Sequence, residues 1–207
     1  MGESRDEQRR RVLDVAADLF AEHGFDEVTM ADIAEAADVA RATVFNYFGS
    51  KHALIEAITE SVLVFYRDML DEALADEDTA TPELVRWLYE EMGKGIESHR
   101  RFFRSVFREI ARIQFGLDES TVAQRASEET ITRLRRLIDR GQQRAELNAA
   151  FDSQTLAIAF RSLANGTITH WLYDDASDPL VARMRDAAEV FLSPVETPRR
   201  RRKGGSG

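Results

Sequence analysis

The chain has 207 residues, 43% of them hydrophobic, with four histidines and no cysteine. That length supports one large or two small domains with a real core, and the lack of cysteine excludes disulfides and thiolate metal sites. The formal net charge of −9 argues against a generic nucleic-acid binder, so any duplex contact must rest on a local arrangement of side chains.

Residues 6–23 read as a first helix, with Val12, Val15, Ala16, Leu19 and Phe20 on one face and Gly24 as a stop. Arg9, Arg10 and Arg11 sit on exposed turns of it, where they serve either neighbouring phosphates or a solvated face. Residues 29–48 then read as a short helix, a tight turn and a second short helix. Thr29 is an N-cap, with Asp32 three residues on. Ile33, Ala34 and Ala37 give the first short helix a narrow apolar stripe, and small alanines allow close approach. Asp38 tolerates the unusual backbone of the turn, Val39 sits at the elbow, and Val44 and Phe48 form the inner stripe of the second short helix.

That second helix leaves Arg41, Thr43, Phe45, Asn46 and Tyr47 to face outward. Arg and Asn suit bidentate contacts to guanine and adenine edges, while Thr and aromatic rings suit the thymine methyl. Tyr and Thr hydroxyls suit phosphates. Lys51 opens the next helix, where its charge and the free backbone N–H groups favour a phosphate. The expected partner of this helix-turn-helix is double-stranded DNA, with the second helix in the major groove.

A longer helix is expected from His52 to about Ala75, carrying Leu54, Ile55, Ile58, Val62, Phe65, Met69 and Leu70. Thr81, as N-cap, and Pro82 start another that runs to about Ser98. Further helices are expected at about 101–115, 119–144, 153–173 and 179–192, with Asp152 or Ser153 capping the third of these and Ser177 or Asp178 the last. The helix at 153–173 is apolar nearly all round, which in a domain this small points to a partner on one face. Leu156, Phe160, Leu163 and Trp171 are the candidate residues of an isologous homodimer contact. Aromatic and adaptable side chains in the middle helices, Trp87, Met92, Phe103, Phe107, Asn165 and His170, are candidates for binding a small apolar or aromatic effector. Most aromatics of such a set simply pack the core, and His170 beside Trp171 reads equally well as an interior or interface histidine.

The first sixty or so residues resemble the TetR family of bacterial transcriptional regulators. The resemblance is carried by the run Ala16 to Phe25, by Thr29 to Ala37, by Thr43-Val44-Phe45-Asn46-Tyr47-Phe48, and by Ser50-Lys51 with Ala53-Leu54-Ile55. It implies an all-α chain: an N-terminal three-helix DNA-binding head containing the helix-turn-helix, and a C-terminal helical bundle for ligand binding and dimerisation. It also implies a homodimer on a palindromic operator, most often a repressor that a small ligand releases. By position, Thr29 corresponds to a phosphate contact, Arg41, Thr43 and Asn46 to base or phosphate readers, and Tyr47 and Lys51 to backbone clamps. Phe45 departs from the family's more usual Tyr, so a stacking or methyl contact replaces a hydrogen bond there. The alternative is an architectural or protein-partner-controlled DNA-binding regulator with no small-molecule ligand.

The expected organisation is a head at 6–52, a body at 53–193 and a disordered basic tail at 194–207. No Glu-x-x-His, Gly-x-Ser-x-Gly, Walker or dinucleotide pattern occurs, so neither enzyme chemistry, metal nor cofactor is expected. No run approaches the roughly 18 apolar residues of a membrane span. The polar N-terminus shows no signal peptide, which fits a cytoplasmic protein.

Overall fold

A computed structural model describes residues 4–100, 102–104, 121–174 and 178–197, with the side chains of 61 and 121–127 set aside. Among them the regular structure is helical, apart from one isolated antiparallel bridge between Leu147 and Glu196.

Helix α1 (Arg5–His23) starts at a capping box. The Ser4 hydroxyl accepts from the Glu7 N–H at 3.2 Å, and the Glu7 carboxylate accepts from the Ser4 N–H at 2.7 Å. These bonds hold the Glu7 carboxyl below its ordinary pKa. The helix ends at Gly24, whose φ of +85° few other residues adopt. Helix α2 (Met30–Ala36) carries the Thr29–Asp32 capping box expected from its sequence. The turn to α3 (Arg41–Phe48) passes through Asp38 at φ +50°, the left-handed geometry that Asp tolerates. Helix α2 packs against α1 and α3. The head core is Val12, Ala16, Phe20, Val28, Ile33, Ala34, Ala37, Val44 and Phe48, all buried.

Helices α4 (Lys51–Ala75), α5 (Thr81–Glu97), α6 (Thr121–Gln143), α7 (Ser153–Tyr173) and α8 (Leu180–Leu192) follow within a residue or two of their expected limits. The helix expected at 101–115 lies outside the described residues except for 102–104, which are helical. Asp152 caps α7, accepting from the Thr155 N–H at 2.7 Å. Thr81 does not cap α5: its hydroxyl is buried without a partner, and its N–H donates to Glu146 at 2.8 Å. Gly141 of α6 explains the tightness, because a Cβ there would lie 2.9 Å from Thr81. Before α8 the N-cap is Pro179, with no side-chain cap.

The chain divides into two compact units, Met1–Asp68 with Gly95–Ser127 and Leu172–Asp175, and Met69–Lys94 with Glu128–Trp171 and Ala176–Gly207. The division between the units falls inside α4, and Leu54, Ile55 and Ile58 are buried in the first unit. In the second unit, Tyr89 is fully buried, donates to the Phe160 carbonyl at 3.0 Å and stacks within 4.5 Å of the Phe160 ring. Arg140 caps the end of α4 by donating to the carbonyls of Ala73 and Leu74 at 2.9 and 3.1 Å. The first residues of the tail expected to be disordered from 194 are packed and bonded instead. Val195 is buried, Asn148 donates to its carbonyl at 2.7 Å, and Thr197 donates to Glu146 at 2.9 Å. Residues 198–207 lie outside the described set.

Arg185 grips Glu90 through two bonds of 3.0 and 2.8 Å, and Lys94 adds an ion pair at 3.0 Å. Arg185 first and Lys94 second pull the Glu90 carboxyl from its ordinary 4.5 to about 2. A carboxylate with a depressed folded pKa contributes its stability in full above 4.5 and loses it as the pH falls toward 2. Glu90→Gln is expected to flatten the fall of urea stability between pH 5 and pH 2.5, read as the unfolding midpoint at each pH. An unchanged slope shows that this exposed cluster contributes nothing.

Candidate nucleic-acid interface

The 3.6-residue repeat of α3 puts Val44 and Phe48 inside the head and turns a different set outward. Arg41, Phe45 and Asn46 are exposed, with Phe45 at 40%, and Thr43 and Tyr47 are half-buried. Among the described residues, the side chains of Arg41, Thr43 and Asn46 make no hydrogen bond. They are therefore free to exchange water for base edges or phosphates without breaking the fold. The Arg41 guanidinium lies 5.5 Å from the centre of the Phe45 ring, a cation–π contact that limits its rotamers before it meets DNA.

The three remaining candidates are placed differently. Lys51 donates to the carbonyls of Phe25, Asp26 and Val28 at 2.6, 3.2 and 2.8 Å, and lies 4.5 Å from the Phe25 ring centre. All three ammonium protons close the loop between α1 and α2, so in this structure the donors expected to meet a phosphate are held as a loop staple. Thr29 donates its hydroxyl proton to Asp32 at 2.8 Å, and Tyr47 donates its own to the Gln8 side chain at 2.6 Å. A phosphate accepts only, so either hydroxyl would first have to leave its partner.

Lys51→Met is accordingly expected to lower the stability of the head by about 2 kcal/mol, the scale for hydrogen bonds from a charged donor. The salt dependence of DNA binding should stay as it is. Calorimetry paired with a salt titration checks this; the reverse pattern would return Lys51 to the phosphates.

Helix α1 also contributes residues that sequence reading passed over or left open. Arg5 and Arg9 lie 5.8 and 5.0 Å from the ring centres of Tyr47 and Phe48, and Arg11 donates to the Ala37 carbonyl at the end of α2. The spacing of Arg5 and Arg9, four apart on one helical face, was the available signal. Their partners lie about forty residues on, so the contacts themselves were not visible.

The first unit contains a cavity of about 740 Å³, within the range of small-molecule sites. Ala17 and Ala21 of α1, Val62 and Phe65 of α4, and Phe102 and Phe103 form apolar walls. Of the expected effector residues Phe103 lines it, and Phe107 lies outside the described set. Trp87, Met92, Asn165 and His170 belong to the second unit and do not line it; His170 is exposed, with Nδ1 3.2 Å from Arg183. Aromatic content marks several helix faces without saying which enclose a space.

The expected dimer residues are mostly covered by the protomer itself. Phe160 and Trp171 are each 3% exposed and Leu156 is buried. Phe160 meets Tyr89 and Phe191, and the Trp171 indole donates to the Asp178 carbonyl at 2.9 Å. Leu163 is half-buried. The exposed residues of α7 in the second unit include instead Ile158, Ala159, Ser162, Gly166 and His170, with Ile158 at 44% exposure.

Residues 12–58 match the family model for bacterial regulatory proteins of the tetR family. Over 204 residues, 93% of this chain and 94% of the relative, the sequence is 24% identical to YfiR, an uncharacterized HTH-type transcriptional regulator of Bacillus subtilis. The fold is similar to that of SmeT, the repressor of a Stenotrophomonas maltophilia multidrug efflux pump, with a TM-score of 0.74, 20% identity and coverage of 95% and 94% of the two chains. It is also similar to the regulator FadR of Bacillus subtilis in complex with stearoyl-CoA, with a TM-score of 0.73, 18% identity and coverage of 89% and 97%. The matched helix-turn-helix segment resembles that of the tetR family of bacterial regulatory proteins, and the all-helical fold around it is similar to that of solved regulators.

Proposed function

We propose that the chain is a homodimeric repressor that reads a palindromic operator through Arg41, Thr43, Phe45 and Asn46 and is released by a small apolar or aromatic effector. The observation that carries the reading is the outward face of α3: Arg41, Thr43 and Asn46 carry no intramolecular hydrogen bond to compete with a duplex. Two supports stand beside it. The exposed stripe of α7 offers an apolar, small-residue surface to a second copy. The cavity of the first unit offers an effector space lined mainly by apolar groups, and FadR, of the same fold, is seen with stearoyl-CoA. A chain acting on chromosomal DNA works in the cytoplasm.

The test is selection of duplexes from a random pool by the full chain. The expected product is an inverted repeat whose half-sites lie one helical turn apart, roughly 34–36 Å. Enrichment of a single asymmetric half-site argues against the dimer, and no enrichment at low salt overturns the DNA-reading face itself.

A further inference from the structure

Helix α1 is both a wall of the cavity and the brace of the recognition helix. Ala17 and Ala21 face the cavity. On the same helix, Gln8 accepts from the Tyr47 hydroxyl at 2.6 Å, and Arg9 lies over the Phe48 ring. Nine residues separate Gln8 from Ala17, about 14 Å of continuous helix at 1.5 Å per residue. An uninterrupted helix of that length moves as one piece, so whatever displaces the cavity wall displaces the group that holds α3.

The cavity also states what it prefers to hold. Phe65 is 49% exposed along it, and Phe102 and Phe103 meet edge-to-face at 5.3 Å beside it. Tyr66 lines it too, and among the described residues its hydroxyl has no hydrogen-bond partner. A phenol keeps its proton at neutral pH, so the half-buried Tyr66 hydroxyl is a donor there. Asp18, Glu97, His99 and Arg100 also line the cavity, so it is only among the phenyl rings, away from them, that a charged group loses its hydration without compensation.

We propose that the effector is a neutral aromatic molecule whose hydrogen-bond acceptor meets Tyr66, and that its occupancy is read directly by α1, through Gln8 and Tyr47, onto the recognition helix. This rests on the cavity being the effector site.

The experiment uses the full chain, an operator duplex selected as above, and prodan, a neutral naphthalene ketone whose emission reports polarity and hydrogen bonding. Prodan is expected to bind once per protomer, to weaken in Tyr66→Phe, and to be excluded by Ala21→Trp, which fills the cavity. Saturating prodan is expected to lower operator affinity roughly tenfold, within the usual range for coupled sites. In Gln8→Leu, or in Gln8→Ala should the first fold poorly, prodan binds as before but the ratio of operator affinities with and without it falls to about one. Gln8→Glu keeps an acceptor for Tyr47 and restores the ratio. An undiminished ratio in Gln8→Leu, or no effect of bound prodan on operator affinity in the parent chain, overturns the α1 route while leaving the cavity as a binding site. Absent binding, or binding indifferent to Ala21→Trp, removes the cavity reading and this inference together.

Discussion

Replacing Arg41 with alanine is expected to weaken binding of the selected operator by roughly 5- to 150-fold, about 1–3 kcal/mol, and to relax the sequence preference at one base position. Arg41 is exposed, its guanidinium lies 5.5 Å from the Phe45 ring centre, and among the described residues it makes no hydrogen bond. Its loss therefore removes little from the free protein, and thermal unfolding should be unchanged. Asn46→Ala is expected to behave alike at a neighbouring position, since Asn46 is exposed and its amide is unbonded among the described residues. The two substitutions lie on one short helix and share a duplex surface, so their effects need not add. Reselecting operators with each variant distinguishes base reading from phosphate contact. A base reader changes the preferred sequence, whereas a phosphate contact lowers affinity for every sequence and reduces the salt slope by about one. Full affinity in both variants would remove α3 from the interface.

The second large effect is expected at α7. Ile158→Arg places a charge at the N-terminal end of the exposed stripe, and Gly166→Leu adds bulk where a Cβ meets nothing within 4 Å in the protomer. Ile158 is 44% exposed and Gly166 has open space at its Cβ, so the unfolding transition of each protomer should survive. If a second copy covers this stripe, both variants should sediment as monomers at micromolar concentration. Operator affinity should then fall by roughly 100- to 10,000-fold, because the second half-site loses the effective concentration that linkage supplies. Leu156→Ala and Phe160→Ala, at the positions expected from sequence to meet the partner, should instead lower protomer stability by roughly 2–5 kcal/mol, as buried truncations do. Variants of the stripe that remain dimeric would show that the partner, if any, sits elsewhere.

The helix-turn-helix was legible because its determinants are local. A capping threonine with an aspartate three residues on, alanines where two helices meet, Asp38 at the turn, and Val44 and Phe48 one turn apart each act over four or five residues. Helix limits elsewhere were legible for the same reason, and the error at Thr81 is instructive. Thr-Pro is a local start signal, but the close approach of Gly141 and the carboxylate of Glu146, sixty residues away, claimed the residue for packing.

Roles that depend on distant partners were not legible. A lysine opening a helix suits a phosphate and a set of loop carbonyls equally well, and the path of residues 25–28 decides between them. The Tyr47 hydroxyl is a free donor until a helix from the other end of the head brings Gln8 within 2.6 Å. An all-apolar helix such as α7 has two candidate buried faces, and periodicity ranks neither.

By itself, then, the order of residues determined the helical class, the reading motif and the outward set Arg41, Thr43, Phe45 and Asn46, since a 3.6-residue repeat and short-range capping suffice for those. Only the tertiary structure decided that Lys51 is a staple, that Phe160 and Trp171 are interior, and that the cavity is walled by α1. Each of these depends on which surfaces the chain covers with its own remote segments, and covering is a property of the packed whole.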